Sequence, residues 1–242
     1  KLAPVFFLGP AFVLFFIYVI YPIFASLRIS FYEWDGYGDM TWLGFGNYIE
    51  MWHDDRVHVA FKNNLLWLVF FLLAPPLSLG LGIFLNQGFK ELRFIKSLFF
   101  FPFVISPVVV GIIFSWFYNP KYGLLDSFLV GAGLESVALL SNEDLVSFGI
   151  IIAAMWPQVA YCLILYMTGL AGLNQEMIEA GRIDGAKGWP MFWNIILPQL
   201  KPATFIAVVV SVLGALRSYD LIAIMTQGGP WGSSTVLAYD CL

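Results

Sequence analysis

The sequence predicts an all-α, polytopic membrane protein. Composition is the first reason. Of 242 residues, 60% are hydrophobic and 12% are charged, about half the ~25% charged share of a soluble domain. The second reason is the length of the uncharged stretches. Asp, Glu, Lys and Arg are absent from residues 2–27, 63–89, 97–120 and 145–175, and roughly 20 apolar residues suffice to cross a bilayer as a helix. The third is proline inside those stretches, at Pro10, Pro75, Pro76, Pro102, Pro107 and Pro157. Spanning helices tolerate proline where neighbouring helices satisfy the freed backbone groups. Kinked helices lining something are expected, rather than a plain anchor.

Taken in order, the spans are expected at about 3–28, 62–86, 95–118, 146–170 and 199–225. The first is too long for a signal-peptide core and has no evident cleavage site. The last is uncharged only over 202–216, so it runs on past Arg217 and Asp220. A net charge of −4 argues against a nucleic-acid partner. Cys162 lies in an apolar run and Cys241 beside the chain end, which indicates neither a disulfide framework nor a metal site. His53 and His58 are five residues apart, not on one helical face, and read as solvated loop residues.

The Lys/Arg distribution orients the spans. With a cytoplasmic N-terminus, the inner segments carry Lys1, Lys90, Arg93, Lys96, Arg182, Lys187 and Lys201, and the outer segments carry Arg28, Arg56, Lys62 and Lys121. The excess has the sign of the positive-inside rule. The segments 33–55 and 121–144 then fall outside, and the insert IEAGRIDGAKGWPMFWNIILPQLKP (178–202) falls inside.

That insert holds three glycines and three prolines between two apolar runs. Asn174 suits a helix N-cap, with Glu176 in the first turn where the helix dipole favours an acid. The helix runs through Met177, Ile178, Ala180 and Ile183 and stops at Asp184-Gly185, because glycine accepts the left-handed conformation. A second amphipathic piece spans 189–196. A short, partly apolar helix at a membrane face either lies on the headgroups or inserts into a groove on a soluble partner.

The series Glu179-Ala180-Gly181, Asp184-Gly185-Ala186 and Ile195-Ile196-Leu197-Pro198 resembles the EAA loop of ABC importer permeases, which reads E-A-A, a glycine four residues on, and I-x-L-P beyond. Gly181 stands where alanine is usual and weakens the helix by roughly 1 kcal/mol. FPFVISPVVVGIIFSWFYNPKYGLL (101–125), YDLIAIMTQGGP (219–230) and WLGFGNY (42–48) are similar to segments of carbohydrate-type permeases. Together the four stretches resemble the MalF-like sugar permease subunits, which have a MetI-like bundle.

The resemblance implies a single transmembrane permease domain over 1–242, a cytoplasmic EAA coupling loop at about 172–198 and a sixth span beyond the chain end. It implies a multi-pass protein of the bacterial inner membrane that forms half of a sugar pathway. The implied partners are a second permease subunit, two ATP-binding subunits, an external periplasmic binding protein and the surrounding lipid. The chain has no G-x-x-x-x-G-K-[ST]. ATP and Mg are therefore expected on the ATP-binding subunits, with no catalytic residue, cofactor or metal here. Residues carried over for coupling are Met177, Ile178, Glu179, Ala180, Gly181, Asp184 and Gly185. Those carried over for substrate are Gln158, Tyr161, Gly214 and Ser218, joined by the in-span Arg217.

Arg217 and Asp220 are three apart, so a structural pair and a cargo-binding arginine are both open. A secondary transporter using these charges is the rival function. It does not need the docking insert, and the internal repeats usual in such transporters are not found. The cargo is open from monosaccharide to sugar-phosphate. The orientation has a direct check. Single cysteines at Ser141 and Lys187, in a background lacking Cys162 and Cys241, should react with an impermeant thiol reagent from opposite sides of the membrane. Labelling of both from one side would overturn the topology.

Overall fold

The uncharged stretches fold as helices because, outside a closed barrel, only a helix satisfies its own backbone in hydrocarbon. The computed structural model describes residues 3–86 and 92–240. Lys1, Lys90 and Cys241, used above, lie outside them. The chain divides into two units, Lys1–His58 and Val59–Leu242.

In the first unit, α1 (Ala3–Phe15), a π-helical turn (Phe16–Ile20) and α2 (Tyr21–Ile29) follow without a break. From Phe7 to Ile29 this helix is apolar, and its most apolar stretch buries nothing inside the chain. Beyond it, β1 (Tyr32–Glu33) pairs antiparallel with β2 (Thr41–Trp42), Tyr32 opposite Trp42, and α3 (Gly46–His53) follows. The WLGFGNY stretch ties this region together. Trp42 meets Tyr32 edge-on at 5.0 Å, and Phe45 meets Phe31 edge-on at 5.5 Å. Asn47 Nδ2 donates to the carbonyls of Ser30 and Tyr32 at 2.9 and 3.0 Å. His53 and His58, expected in a loop, are exposed but helical. His53 closes α3 with Nδ1 2.7 Å from the Ile49 carbonyl, and His58 lies in the next helix with its ring edge-on to Trp52.

The second unit continues through α4 (Asp55–Phe71), α5 (Ala74–Leu85), α6 (Leu92–Val104), α7 (Pro107–Phe117), α8 (Leu124–Gly131) and α9 (Val146–Ala171). Then come α10 (Gln175–Ile183), α11 (Trp189–Met191), a π-helical turn (Phe192–Ile196), α12 (Leu197–Gln199), α13 (Lys201–Leu216), α14 (Asp220–Met225) and α15 (Leu237–Asp240). Helix α9 is the axis, since α5, α6, α7, α13 and α14 all pack on it. Its 26 residues reach about 39 Å at 1.5 Å each, longer than the ~30 Å hydrocarbon core. Small residues let its neighbours close in. Gly149, Ala153, Ala154 and Ala160 are all buried, in keeping with the small-residue interfaces of membrane helices. Around them, Trp67, Phe71, Ile150, Ile151, Ala154 and Ile222 pack near one end, and Ala74, Cys162, Tyr166, Leu170, Leu200 and Ala207 near the other.

Several polar side chains inside the bundle bond to one another or to carbonyls. Ser78 Oγ donates to the Val159 carbonyl at 2.8 Å, tying α5 to α9. At the end where α9 begins, Asn63 Nδ2 donates to the carbonyls of Ser233 and Thr235 at 2.7 and 2.8 Å. Ser147 Oγ reaches Asn63 Oδ1 at 3.2 Å.

Two expected spans are broken. Residues 95–118 were expected as one kinked span, but Phe94–Val104 and Pro107–Phe117 meet at 104°. The residue before a proline is pushed toward extended backbone; Ser106 has ψ 148°, and its Oγ accepts from the Val109 amide at 3.4 Å to start α7. The span expected at 199–225 is also interrupted. A 72° bend separates Trp189–Gln199 from Lys201–Leu216, and residues 217–219 separate α13 from α14. Among the described residues, three helices are long and apolar enough to cross a membrane, or five if each bent pair counts as one.

The packing on α9 yields a size test. A Cβ on Gly82 would lie 3.4 Å from Leu170 Cδ1 and 3.6 Å from Leu163 Cδ1 and Tyr166 Cβ, so a methyl fits and a larger group does not. Gly82→Ala should keep the thermal stability of the solubilised protein. Gly82→Val should lower stability by about 1–3 kcal/mol through overpacking. Equal melting curves for the two variants would contradict this packing.

Candidate functional site

A cavity of about 400 Å³ opens where α4, the α6–α7 bend, α9 and the α13–α14 break meet. Gln158, Tyr161, Gly214, Arg217 and Ser218 all line it. Helical periodicity brings them there. Ala154, Pro157, Gln158 and Tyr161 fall at i, i+3, i+4 and i+7 along α9, and Val210, Gly214, Arg217 and Ser218 fall at i, i+4, i+7 and i+8 from α13 into the break. Both series form single stripes. Tyr161 stacks on Phe103 with ring centroids 5.1 Å apart and planes at 23°. Gln158 Nε2 donates to Ser211 Oγ at 2.9 Å, which fixes the amide against α13. Ser211 itself is buried between the two helices and donates to the Ala207 carbonyl at 2.8 Å. A Cβ on Gly214 would lie 3.1 Å from Phe71 Cε1 and 3.5 Å from Gln158 Oε1.

The charges sit at helix ends. Arg217 caps the C-terminus of α13 and is exposed, and Asp220 opens α14. The helix dipole favours a cation at the first place and an acid at the second. Both side chains line the cavity, and no ion pair joins them among the described residues. The structure adds Trp67, Phe71 and Phe103 to the lining. They stand in uninterrupted apolar runs, so no sequence signal separates them from lipid-facing aromatics. A larger groove of about 710 Å³ against α9 is walled by Leu, Ile, Phe, Met, Val, Ala, Pro and Trp side chains, which suits hydrocarbon rather than a polar solute. No group of His, Cys, Asp and Glu able to hold a metal occurs among the described residues.

Helix α10 follows the other end of α9. Asn174 Oδ1 accepts from the amides of Glu176 and Met177 at 2.8 and 3.3 Å, capping it. Its far end is a Schellman turn. The Ala186 amide bonds the Gly181 carbonyl at 2.8 Å, the Gly185 amide bonds the Arg182 carbonyl at 3.1 Å, and Gly185 has φ +85°.

The faces of α10 differ from what the motif implied. Met177, Glu179, Ala180, Asp184 and Gly185 are exposed. Ile178 and Gly181, expected among the residues facing a partner, are buried against this chain. A Cβ on Gly181 would overlap Ile195 Cδ1 and stand 3.4 Å from Met191 Cε, so glycine replaces the usual alanine to let α10 lie flat on the segment that follows. Ile183, absent from the expected coupling set, is 86% exposed and gives the free face an apolar point. The Asn174 amide also bonds Gln199 Oε1 at 2.9 Å, which ties α10 to α12.

A bent multi-span bundle with an open cavity of mixed polar and aromatic lining, and an exposed helix beyond α9, fits a membrane permease. Residues 74–240 match the family described as "Binding-protein-dependent transport system inner membrane component", and the chain belongs to that family. It is 34% identical to the "Probable ABC transporter permease protein YurN" of Bacillus subtilis, over 98% of this chain and 83% of the relative. It is 28% identical to the "Alpha-glucoside transport system permease protein AglF" of Rhizobium meliloti, over 98% of this chain and 71% of the relative. In fold it is similar to a chain of a solved bacterial alginate ABC transporter in complex with alginate pentasaccharide-bound periplasmic protein. That likeness has a TM-score of 0.79 at 22% identity and covers 95% of this chain and 77% of the other.

Proposed function

We propose that this chain is one of two permease subunits of an ATP-driven importer for a sugar or sugar derivative, and that the 400 Å³ cavity is its share of the solute pathway. One observation carries the reading: Gln158, Tyr161, Gly214, Arg217 and Ser218, on two helices and the break after one of them, converge on that cavity. Its groups suit a polyhydroxylated solute. Tyr161 and Phe103 offer aromatic surface, Gln158 and Ser218 offer hydrogen bonds, and Arg217 offers a charge-assisted donor. The cargoes in the names of the α-glucoside relative and the alginate transporter belong to this class.

The N-terminus is cytoplasmic in this reading, which puts α10 on the ATP side. Glu179 and Asp184 supply the polar contacts to an ATP-binding subunit, Met177 and Ile183 the apolar ones, and Ala180 and Gly185 the close approach. The push is received internally, because Gly181 bears on Met191 and Ile195 ahead of α13 and Ile178 is buried beside it. ATP and Mg act on two partner subunits, and a periplasmic binding protein delivers the solute from outside. Movement of α10 rocks the bundle between inward and outward openings. Secondary transport driven by Arg217 and Asp220 is set aside, since both charges have a place at helix ends.

Two experiments test the reading. Arg217→Gln should lower uptake at limiting solute about tenfold or more, the scale of a lost hydrogen bond to a charged group. Tyr161→Ala should do likewise by removing a stacking face, with assembly and basal ATPase intact in both. Full uptake by both variants would remove the cavity from the pathway. For coupling, Glu179→Arg should leave the complex in the membrane at normal level while loaded binding protein no longer stimulates its ATPase. Normal stimulation would remove α10 from the ATPase interface.

A further inference from the structure

The loop between α14 and α15 holds a tryptophan in an unusual state. Trp231 is 94% exposed and has φ +49°, a region that bulky residues rarely adopt. Such a conformation persists only where its surroundings enforce it, and here they do so on both sides of the residue. Before it, the Gly229 carbonyl accepts from Ser234 Oγ at 2.7 Å. After it, the Ser233 carbonyl accepts from Asn63 Nδ2 at 2.7 Å and from Ser147 Oγ at 3.3 Å. Beyond that, the Leu237 amide donates to Asn64 Oδ1 at 2.8 Å. Asn63, Asn64, Ser147 and Ser234 are all buried. A buried polar clamp between α4 and α9 therefore holds a loop whose most prominent side chain is almost wholly exposed. Beneath the indole lies a cavity of about 760 Å³, lined in part by Lys62, Glu143, Asp144, Phe148 and Ser233. The side chains of Lys62, Glu143 and Asp144 are exposed.

The patch stands at the end where α9 begins, whereas α10 follows the end where α9 stops. If α10 faces the ATPase, Trp231 faces the exterior. A rigidly presented tryptophan beside a pocket has the character of an interface hot spot, and pre-ordering of the loop lowers the entropy lost on association. The membrane interface also attracts tryptophan, but anionic headgroups repel the adjacent Glu143 and Asp144. The family's dependence on a binding protein supplies a partner on that side.

We propose that Trp231, flanked by Glu143 and Asp144, is the anchor on which the external solute-binding protein docks, the indole entering an apolar pocket and the two carboxylates facing basic side chains of that protein. This rests on the importer reading given above.

The test uses the assembled transporter in nanodiscs of phosphatidylcholine and phosphatidylglycerol, titrated with its own loaded binding protein while ATPase activity is followed. Trp231→Ala should raise the half-stimulating concentration at least about tenfold, with basal ATPase and assembly unchanged. The double variant Glu143→Lys, Asp144→Lys should raise it too, and Trp231→Phe should recover most of the loss. Wild-type titration curves for Trp231→Ala and the double variant would overturn the docking role. So would a normal curve for Trp231→Ala alongside a loss of brominated-lipid quenching relative to the wild type, which would make the residue a membrane anchor. Absence of stimulation in the wild-type complex would instead sink the importer reading, and the docking role with it.

Discussion

The larger unit depends on the packing of one helix. Helices α4, α5, α6, α7, α13 and α14 all touch α9, so their positions are set by what its surface allows. Along much of its length it presents small residues or buried aliphatic ones. In a bilayer, where lipid is as apolar as leucine, close packing and internal hydrogen bonds supply most of the attraction between helices. The bonds from Ser78 to Val159 and from Gln158 to Ser211 are of that kind. The second also orients a cavity side chain, so the same contact that joins α9 to α13 shapes the proposed solute site.

Helix α9 also gives the function its layout. The clamp on the Trp231 loop grips its first turn through Ser147, the cavity lies midway at Gln158 and Tyr161, and α10, the proposed coupling helix, follows its C-terminal end. One rigid element thus connects an outer contact, a solute site and an inner contact in the proposed mechanism. The buried seat of Gly181 against Ile195 fits this layout. A helix that only grazed the bundle would slide when pushed, whereas α10 is keyed into the chain that leads to α13.

Much of this was legible in the sequence, for physical reasons. Uncharged runs of bilayer length have one common fate, so the all-α, multi-span class followed directly. Asn174 as cap and Gly185 as terminator were readable because each satisfies a local backbone need that few residues meet. Gln158, Tyr161, Gly214 and Ser218 were carried over by the family resemblance, and spacing accounts only for their sharing helix faces. The sharpness and position of the bends were not readable, because proline is tolerated in some spanning helices and breaks others. Pro157 sits inside an unbroken α9, while Pro107 starts a helix set at 104° to its predecessor. Tertiary packing decides between these outcomes. Nor did spacing tell which apolar face of α10 turns inward. Ile178 and Ile183 are five residues apart, about 140° around the helix, and one is buried while the other is free. Trp231 carried no sequence signal either, since only the clamp beneath it distinguishes it from an ordinary interfacial tryptophan.

In the proposed importer, α9 carries motion between its two ends without deforming. Pulsed electron spin resonance between labels at Phe148 and Thr168, in a background lacking Cys162 and Cys241, measures this most directly. Those positions are 20 residues apart, about 30 Å along a helix. Across resting and ATP-trapped states of an active complex, that distance should stay fixed, while the distance from Phe148 to a label on the second permease subunit shifts. A change of several ångströms between Phe148 and Thr168 would show that the helix bends during transport and would contradict the account.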